Sequence, residues 1–309
     1  MEIKQKTSDR QLKYRKVLLT GGSGFIGSPF MSSIKNWGWS VHNLTRVPHQ
    51  KQDIVWDPGN GIFPEHALDG VDIIVHLAGE NISSGRWTKA RKQLIRESRI
   101  EGTRILAEGI SKMERKPELF ICASGANCYM SDGQAHDEAS PMGSGFLAEL
   151  VQEWEAACAP AIACGVRTIH LRLGMVLDPG GGALAKMLPV FKRSLGGTFG
   201  SGQQHVNWIT LVDLIRVLQF CIENNNLEGP VNAVSPKPVP QEKFAELLAE
   251  ALGAKAIMPV PQYVVKLLYG QMGEELLLDD MNVLPKKLKE AGFGWIHSDL
   301  KTALHSLLA

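Results

Sequence analysis

The 309-residue sequence predicts a doubly wound α/β fold: a mostly parallel sheet with helices on both faces, and a smaller, mainly helical C-terminal lobe. Three observations carry this expectation. Short apolar runs alternate with helical patterns through the first half, a glycine-rich turn joins the first run to the first helix, and beyond Pro236 the pattern turns to amphipathic helix.

The first run, Lys16 to Thr20, reads Lys-Val-Leu-Leu-Thr, short and branched as a strand buried on both faces of a parallel sheet must be. Gly21 to Gly27 breaks it, Ser28 to Trp37 continues as helix, and Gly38 stops that helix. Pro29 is compatible with it, because the first helical turn has no internal partner for the missing amide. Val41 to Thr45 is a second strand, a looser stretch holds Ile54-Val55-Trp56, and Val71 to Leu77 is a buried strand ending at Ala78-Gly79. Thr88 to Met113 is a long helical pattern. Gly102 within it costs ~1 kcal/mol against alanine, which suggests a close packing contact. Leu119 to Ala123, Phe146 to Ala159 and Val166 to Leu173 add strand, helix and strand, an order that calls for right-handed crossings.

In the second half, Gly180-Gly181-Gly182 and Gly196-Gly197 bracket Ala183 to Leu195, and Gly200-Ser201-Gly202 leads into Val206 to Thr210 and a helical Asp213 to Cys221. Past Pro236, Pro238 and Pro240 come helices at Glu242 to Leu252, Gln262 to Leu268, Leu284 to Glu290 and Asp299 to Leu308. The expected division is a nucleotide-binding domain over residues 15–174 with a returning segment 203–234, and a substrate-facing lobe made of 175–202 and 235–309.

The formal net charge is +1 and the basic residues are dispersed, so nothing in the chain gathers nucleic acid. No apolar run approaches the roughly 20 residues that cross a bilayer, so no membrane partner is expected. Cys122, Cys128, Cys158, Cys164 and Cys221 are odd in number in a chain too large to depend on disulfides, which fits a reducing, cytoplasmic setting. They lack the companion ligands of a tetrahedral metal site, so no metal is expected. The first sixteen residues set Lys4, Lys6, Arg10, Lys13, Arg15 and Lys16 against Glu2 and Asp9; without the apolar stretch of a secretory signal, they read as a frayed or strand-leading extension.

Gly22-Ser23-Gly24-Phe25-Ile26-Gly27 contains Gly-x-Gly-x-x-Gly, and Gly21, Gly24 and Gly27 also give Gly-x-x-Gly-x-x-Gly. Lying between strand and helix, it is in the context of a pyrophosphate-binding turn, where bare main chain approaches the anion and the helix amides face it. At the end of the second strand, where an acidic residue would select NAD, stands Thr45-Arg46; a guanidinium there suits the extra phosphate of NADP(H). His76-Leu77-Ala78-Gly79 leaves room for a cofactor, and the helical pattern points Arg99 back toward the sheet edge.

At these residues the sequence resembles the extended short-chain dehydrogenase/reductases, and more closely their atypical epimerase-like branch, the NAD-dependent epimerase/dehydratase family. The resemblance runs from Leu19-Thr20 with Gly21 to Gly27, through Leu44-Thr45-Arg46, Leu77-Ala78-Gly79-Glu80, Ser98-Arg99-Ile100-Glu101, Trp154-Glu155-Ala156-Ala157, Gly180 to Pro189 and Trp208-Ile209, to Val283-Leu284-Pro285-Lys286-Lys287. It implies a Rossmann domain binding NADP, with Thr45 and Arg46 at the adenosine end, Leu77 and Ala78 along the dinucleotide, Leu94 and Arg99 reaching it from the long helix, and Gly174-Met175 near the nicotinamide. Dimerisation is common in this superfamily, which leaves a homodimer open; the sequence marks no interface.

One departure is chemical. The superfamily's reductases use Tyr-x-x-x-Lys, the lysine lowering the tyrosine's proton affinity while the tyrosine exchanges a proton with a carbonyl or alcohol. Here that segment is Phe146-Leu147-Ala148-Glu149-Leu150-Val151, and none of Tyr14, Tyr129, Tyr263 and Tyr269 has a lysine four residues later. Ser124 matches the superfamily serine that bonds substrate oxygen, and Tyr129, Glu149 or Glu80 is then the candidate proton carrier. Trp154-Glu155 reads as an anchor whose ring packs while the carboxylate pairs outside. Two main activities stay open, an NADP-dependent oxidoreductase or epimerase-like protein acting on a small carbonyl or alcohol, and a catalytically weakened NADP(H)-binding sensor or interaction protein; dehydratase or lyase chemistry is a smaller third option.

Overall fold

Seven strands form one parallel sheet in the spatial order 229–233, 167–173, 119–125, 73–76, 16–20, 40–45 and 53–55. They belong to a computed structural model that describes residues 15–48, 50, 53–256 and 258–309, so the first fourteen residues of the expected N-terminal extension lie outside the described residues. The alternation of side chains along a strand explains why both faces are covered. Val17, Leu19, Val75 and Ile121 face the helices Gly27–Asn36 and Leu211–Glu223, while Leu18, Ile74, Phe120 and Cys122 face Lys89–Lys112 and Phe146–Ala156. The central Leu18, Leu19 and Ile74 have no exposed surface, as a continuous apolar run requires.

The looser stretch around Ile54 is a short edge strand, Asp53–Val55. The opposite edge is Gly229–Ala233, which no local pattern announced: Gly229, Pro230 and Asn232 are poor strand residues, and Pro230 is tolerated because an edge leaves one row of amides unused. The expected helix Phe146 to Ala159 ends at Ala156 and is followed by a separate turn of helix, Ala159–Ala163, with Pro160 in its first turn. Gly102 makes only ordinary contact, since a Cβ there would sit 3.4 Å from the Trp56 ring; Gly109 is the crowded helical glycine, at 2.9 Å from both Leu68 and Phe63.

Strand order reverses between 16–20 and 73–76, so the crevice beyond their C-terminal ends is the switch point at which open α/β sheets bind ligands. Over it lies a second apolar cluster, in which Leu184, Phe191, Trp208, Phe244 and Leu304 join the helices Gly182–Lys192, Gln241–Ala251 and Leu300–Leu308. The single strand expected at Val206 to Thr210 is two, His205–Val206 and Trp208–Thr210. Asn207 interrupts them, its side chain being consumed by Met281 and Val283 across the cleft. Among the described residues no helix is long and apolar enough to cross a membrane.

Candidate functional site

The glycine turn is dictated by close approach. Gly21 has φ +73°, and a Cβ on it would lie 2.9 Å from the Ala78 amide nitrogen; one on Gly27 would lie 2.1 Å from the Gly21 carbonyl oxygen. The Gly22 amide donates to Asn43 Oδ1 (3.1 Å), a buried partner on the second strand that the sequence did not advertise. Gly24 returns a bond to Gly21 (2.9 Å). The helix that follows has Ile26 at its N-cap, no capping side chain and no acid in its first turn, so its positive end is open to an anion. Phe25, Ile26 and Leu77 to Gly79 line one wall of a cavity of about 510 Å³. The register of Thr20 against Leu44 brings Thr45 and exposed Arg46 level with Gly21 and Gly22.

Arg99 reaches this cavity as its helical position suggested. Its guanidinium lies 3.3 Å from where a Gly79 Cβ would stand and stacks 5.1 Å from the Trp154 ring. Burial pulls its pKa down to about 10, the Arg91 charge acts in the same direction, and Glu80 opposes both. Leu94, five residues earlier, is on the outer side of the helix, 54% exposed and outside the cavity lining, because five residues at about 100° each turn it well away from Arg99.

Of the four candidate catalytic residues, Ser124, expected to bond substrate oxygen, lines the cavity, and the three candidate proton carriers do not. Its hydroxyl donates to Glu155 Oε1 (2.8 Å), so the proton points away from the cavity and the oxygen offered inward is an acceptor. Arg172 grips both Glu155 oxygens, Nε to Oε1 and Nη2 to Oε2, each at 2.8 Å. The carboxylate expected to pair outside is turned inward, with its side chain 11% exposed, because Arg172 projects toward it from the strand paired with Ser124's. Burial works against the Arg172 charge, but the bonds to Glu155 outweigh it and hold the guanidinium above its ordinary range.

Tyr129 belongs to the far side of that network. Its hydroxyl accepts from Arg172 Nη1 (2.8 Å) and donates to Asn232 Oδ1 (2.7 Å), and its ring stacks on His136. Burial pushes the phenol upward, and the residue does not line the cavity, so it holds the wall and reaches no reacting atom there. Glu149 is exposed and lines a separate depression with Lys89, Lys92 and Arg96. Glu80 is drawn to Arg91 (2.9 Å) and also stands outside the lining.

The helix Phe146–Ala156 turns Leu147, Leu150 and Val151 into the cavity, so the wall at the Tyr-x-x-x-Lys segment is apolar. Its N-terminus is capped from a distance of 128 residues or more: Glu275 accepts from the amides of Phe146 (3.1 Å) and Leu147 (2.8 Å). Beyond Gly174 and Met175 the cavity continues between Phe199, Phe244, Leu276 and Leu277, with His205 and Asp279 as its titratable groups. His205 Nδ1 lies 2.7 Å from Asp280 Oδ1, and the His205 amide donates to that same oxygen (2.9 Å). Burial and the neighbouring Glu275 and Glu274 raise the Asp279 carboxyl, against a bond from Ser131. Sequence reasoning passed over these two acids and His205; a histidine and an aspartate 75 positions apart carry no local signal.

Residues 17–234 match the NAD dependent epimerase/dehydratase family, and residues 260–307 match a domain of unknown function (DUF1731). The epimerase family protein Mb2239 of Mycobacterium bovis is 36% identical over 290 residues, which cover 93% of this chain and 96% of that one. The human epimerase family protein SDR39U1 is 34% identical over 298 residues, 95% of this chain and 100% of the human protein. The crystal structure of human SDR39U1 (isoform 2) with NADPH superposes with a TM-score of 0.85 at 33% identity, over 95% of this chain and 99% of that chain. The nucleoside-diphosphate sugar epimerase structure from Corynebacterium glutamicum gives 0.79 at 30% identity, over 96% of this chain and 58% of that one. With most of its length matched by the family and a 36% identical relative covering 93% of it, the chain belongs to the NAD dependent epimerase/dehydratase family.

Proposed function

We propose that this chain binds NADP(H) across the switch point and acts as an oxidoreductase or epimerase-like enzyme on a small, uncharged carbonyl or alcohol with an apolar body. The carrying observation is continuity: one cavity runs from Phe25 and Ile26 past Leu77 to Gly79, Arg99 and Ser124 to Met175, and on into the apolar pocket around Phe244 and Leu276. The residues fit the cofactor. Gly21, Gly24 and Gly27 leave the space a pyrophosphate needs, the open helix end at Ile26 favours its charge, and Arg99 brings a half-buried cation with no carboxylate in ion-pair contact among the described residues. Thr45 and Arg46 hold the 2′-phosphate, and the NADPH found with the human relative supports that choice.

When bound, the nicotinamide supplies a hydride donor or acceptor. Ser124, its own proton committed to Glu155, accepts a hydrogen bond from a substrate hydroxyl, and Leu147, Leu150 and Val151 exclude water on that side. Among the described residues Arg99, on the dinucleotide side, is the one Arg or Lys in the lining, so they offer no second cation to a diphosphate-bearing substrate; this argues against carrying the Corynebacterium protein's sugar-nucleotide specificity over. The apolar wall and the locked Tyr129 favour the second reading, an NADP(H)-binding sensor without turnover.

The test is a fluorescence titration with NADPH and NADH, followed by cofactor absorbance with a panel of apolar aldehydes, ketones and alcohols. Arg46→Ala is expected to weaken NADPH by about 10- to 100-fold, the worth of a charge-assisted contact, while leaving NADH almost unchanged. Equal loss of both removes the NADP assignment; firm binding with no turnover across the panel selects the sensor.

A further inference from the structure

We infer that His205, oriented by Asp280, is the proton carrier of this site; the inference rests on the reading above. Among the described residues, three side chains that line the cavity carry a titratable charge. Arg99 remains a cation at neutral pH even at its lowered value, and Asp279 is an acid held by Ser131. His205 brings an imidazole, whose two ring nitrogens can donate and accept a proton. Asp280 Oδ1 accepts from its Nδ1, so in the neutral ring the proton resides on Nδ1 and Nε2 carries the lone pair. Among the described residues no protein group bonds Nε2, and the imidazole is 25% exposed, inside the cavity lining.

The backbone brings this nitrogen's strand to the right end of the cavity. The Met175 amide donates to the Asn207 carbonyl (2.7 Å), and a Cβ on Gly174 would lie 2.8 Å from that same oxygen. His205 stands two residues before Asn207, about 7 Å along an extended chain. It therefore lines the same cavity as the Gly174-Met175 strand end, where the nicotinamide is expected.

In the reducing direction His205, as imidazolium, gives its Nε2 proton to the carbonyl oxygen while the substrate carbon gains a hydride and the C=O π bond becomes the new O–H. That hydride would come from bound NADPH, leaving NADP⁺ as the carbonyl is reduced to the alcohol, and the neutral ring recovers a proton from water. In the oxidising direction His205 takes the hydroxyl proton.

The experiment is a pH titration of the histidine ring nitrogens by long-range ¹H–¹⁵N NMR on the whole protein, with His205→Gln to assign the signal and cofactor fluorescence to monitor binding. The oxidised nicotinamide carries a positive charge that the reduced one lacks, so the pKa of His205 is expected about half a pH unit lower with NADP⁺ than with NADPH. Asp280 bonds it and Asp279 shares its cavity, while Asp132 and His136, bonded to each other, and Glu242 and Glu275 belong to other segments; all are common to both complexes. Asp280→Asn is expected to lower the pKa in both and to abolish the Nδ1–H preference, whereas Asp279→Asn keeps that preference. Binding of both forms with one unchanged His205 pKa, or an Asp280→Asn variant with unaltered tautomer, overturns this assignment alone. Absence of binding to either form overturns the proposed function and this assignment together.

Discussion

The two ends of the cavity are built on opposite plans. At the nucleotide end, Gly21 to Gly27 follow directly on one strand, and two further strand ends supply the rest within the first hundred residues. At the other end, Ser124, Leu147, His205, Phe244 and Leu276 come from five separate segments held together by Glu155–Arg172, Glu275 and Asp280. The first is a local steric necessity, and the second is a set of long-range polar bonds. Anion binding can be guaranteed by bare main chain, whereas choice of substrate and proton chemistry depends on side chains that tertiary structure must deliver.

This contrast predicts that the second end fails through stability and the first through affinity. Removing Arg172 as Arg172→Ala leaves the Glu155 carboxylate enclosed without its partner, and denaturant unfolding should register a loss of about 3–5 kcal/mol. An Arg172→Ala chain as stable as the parent would break the comparison. Gly27→Ala drives a Cβ into the Gly21 carbonyl, and the turn must shift; a loss of roughly 1–3 kcal/mol in stability is expected, together with loss of NADPH binding in calorimetry.

A pH titration of stability sharpens the same comparison. His76 is fully buried between Thr20 and Trp56, and burial, aided by Arg99, lowers its pKa from 6.5 to about 3. The unfolded chain takes up this proton below pH 6.5 while the folded chain refuses it until about 3, so the stabilisation is intact above 6.5 and is lost as pH falls through that window. The slope attributable to it is at most ~1.4 kcal/mol per pH unit and should flatten in His76→Gln. The smallest effect is at the helix cap: Glu275→Gln keeps one hydrogen bond but loses the charge at the amide end, about 1 kcal/mol by thermal unfolding, with a weaker NADPH complex.

Much of the fold was legible because periodicity is local. The strands at 16–20, 73–76 and 167–173 lie within expected runs, while 40–45 begins one residue earlier and 119–125 ends two residues later than expected; Phe25 and Ile26 of the glycine turn line one cavity with Arg99. Gly229–Ala233 was not legible, since its strand character comes from pairing with 167–173 and not from its own residues. Glu149 and Glu80 were reasonable by proximity in sequence, yet helix phase turned one outward and Arg91 drew the other away. Tyr129 was found and misassigned in role, because the Arg172 and Asn232 that consume its hydroxyl are 43 and 103 positions distant.

The carboxylate of Glu275 has a consequence for how the molecule divides. It sits within the stretch 260–307, which is matched separately from 17–234, but both its oxygens terminate a helix of the earlier stretch, the one presenting Leu147 and Leu150 to the cavity. The C-terminal segment is thus not an appendage that can be trimmed to leave a working nucleotide domain. A chain cut before residue 260 would expose the apolar flank of its own ligand cleft and fray the helix beneath it, so cofactor affinity and the integrity of the last fifty residues should rise and fall as one thermodynamic quantity.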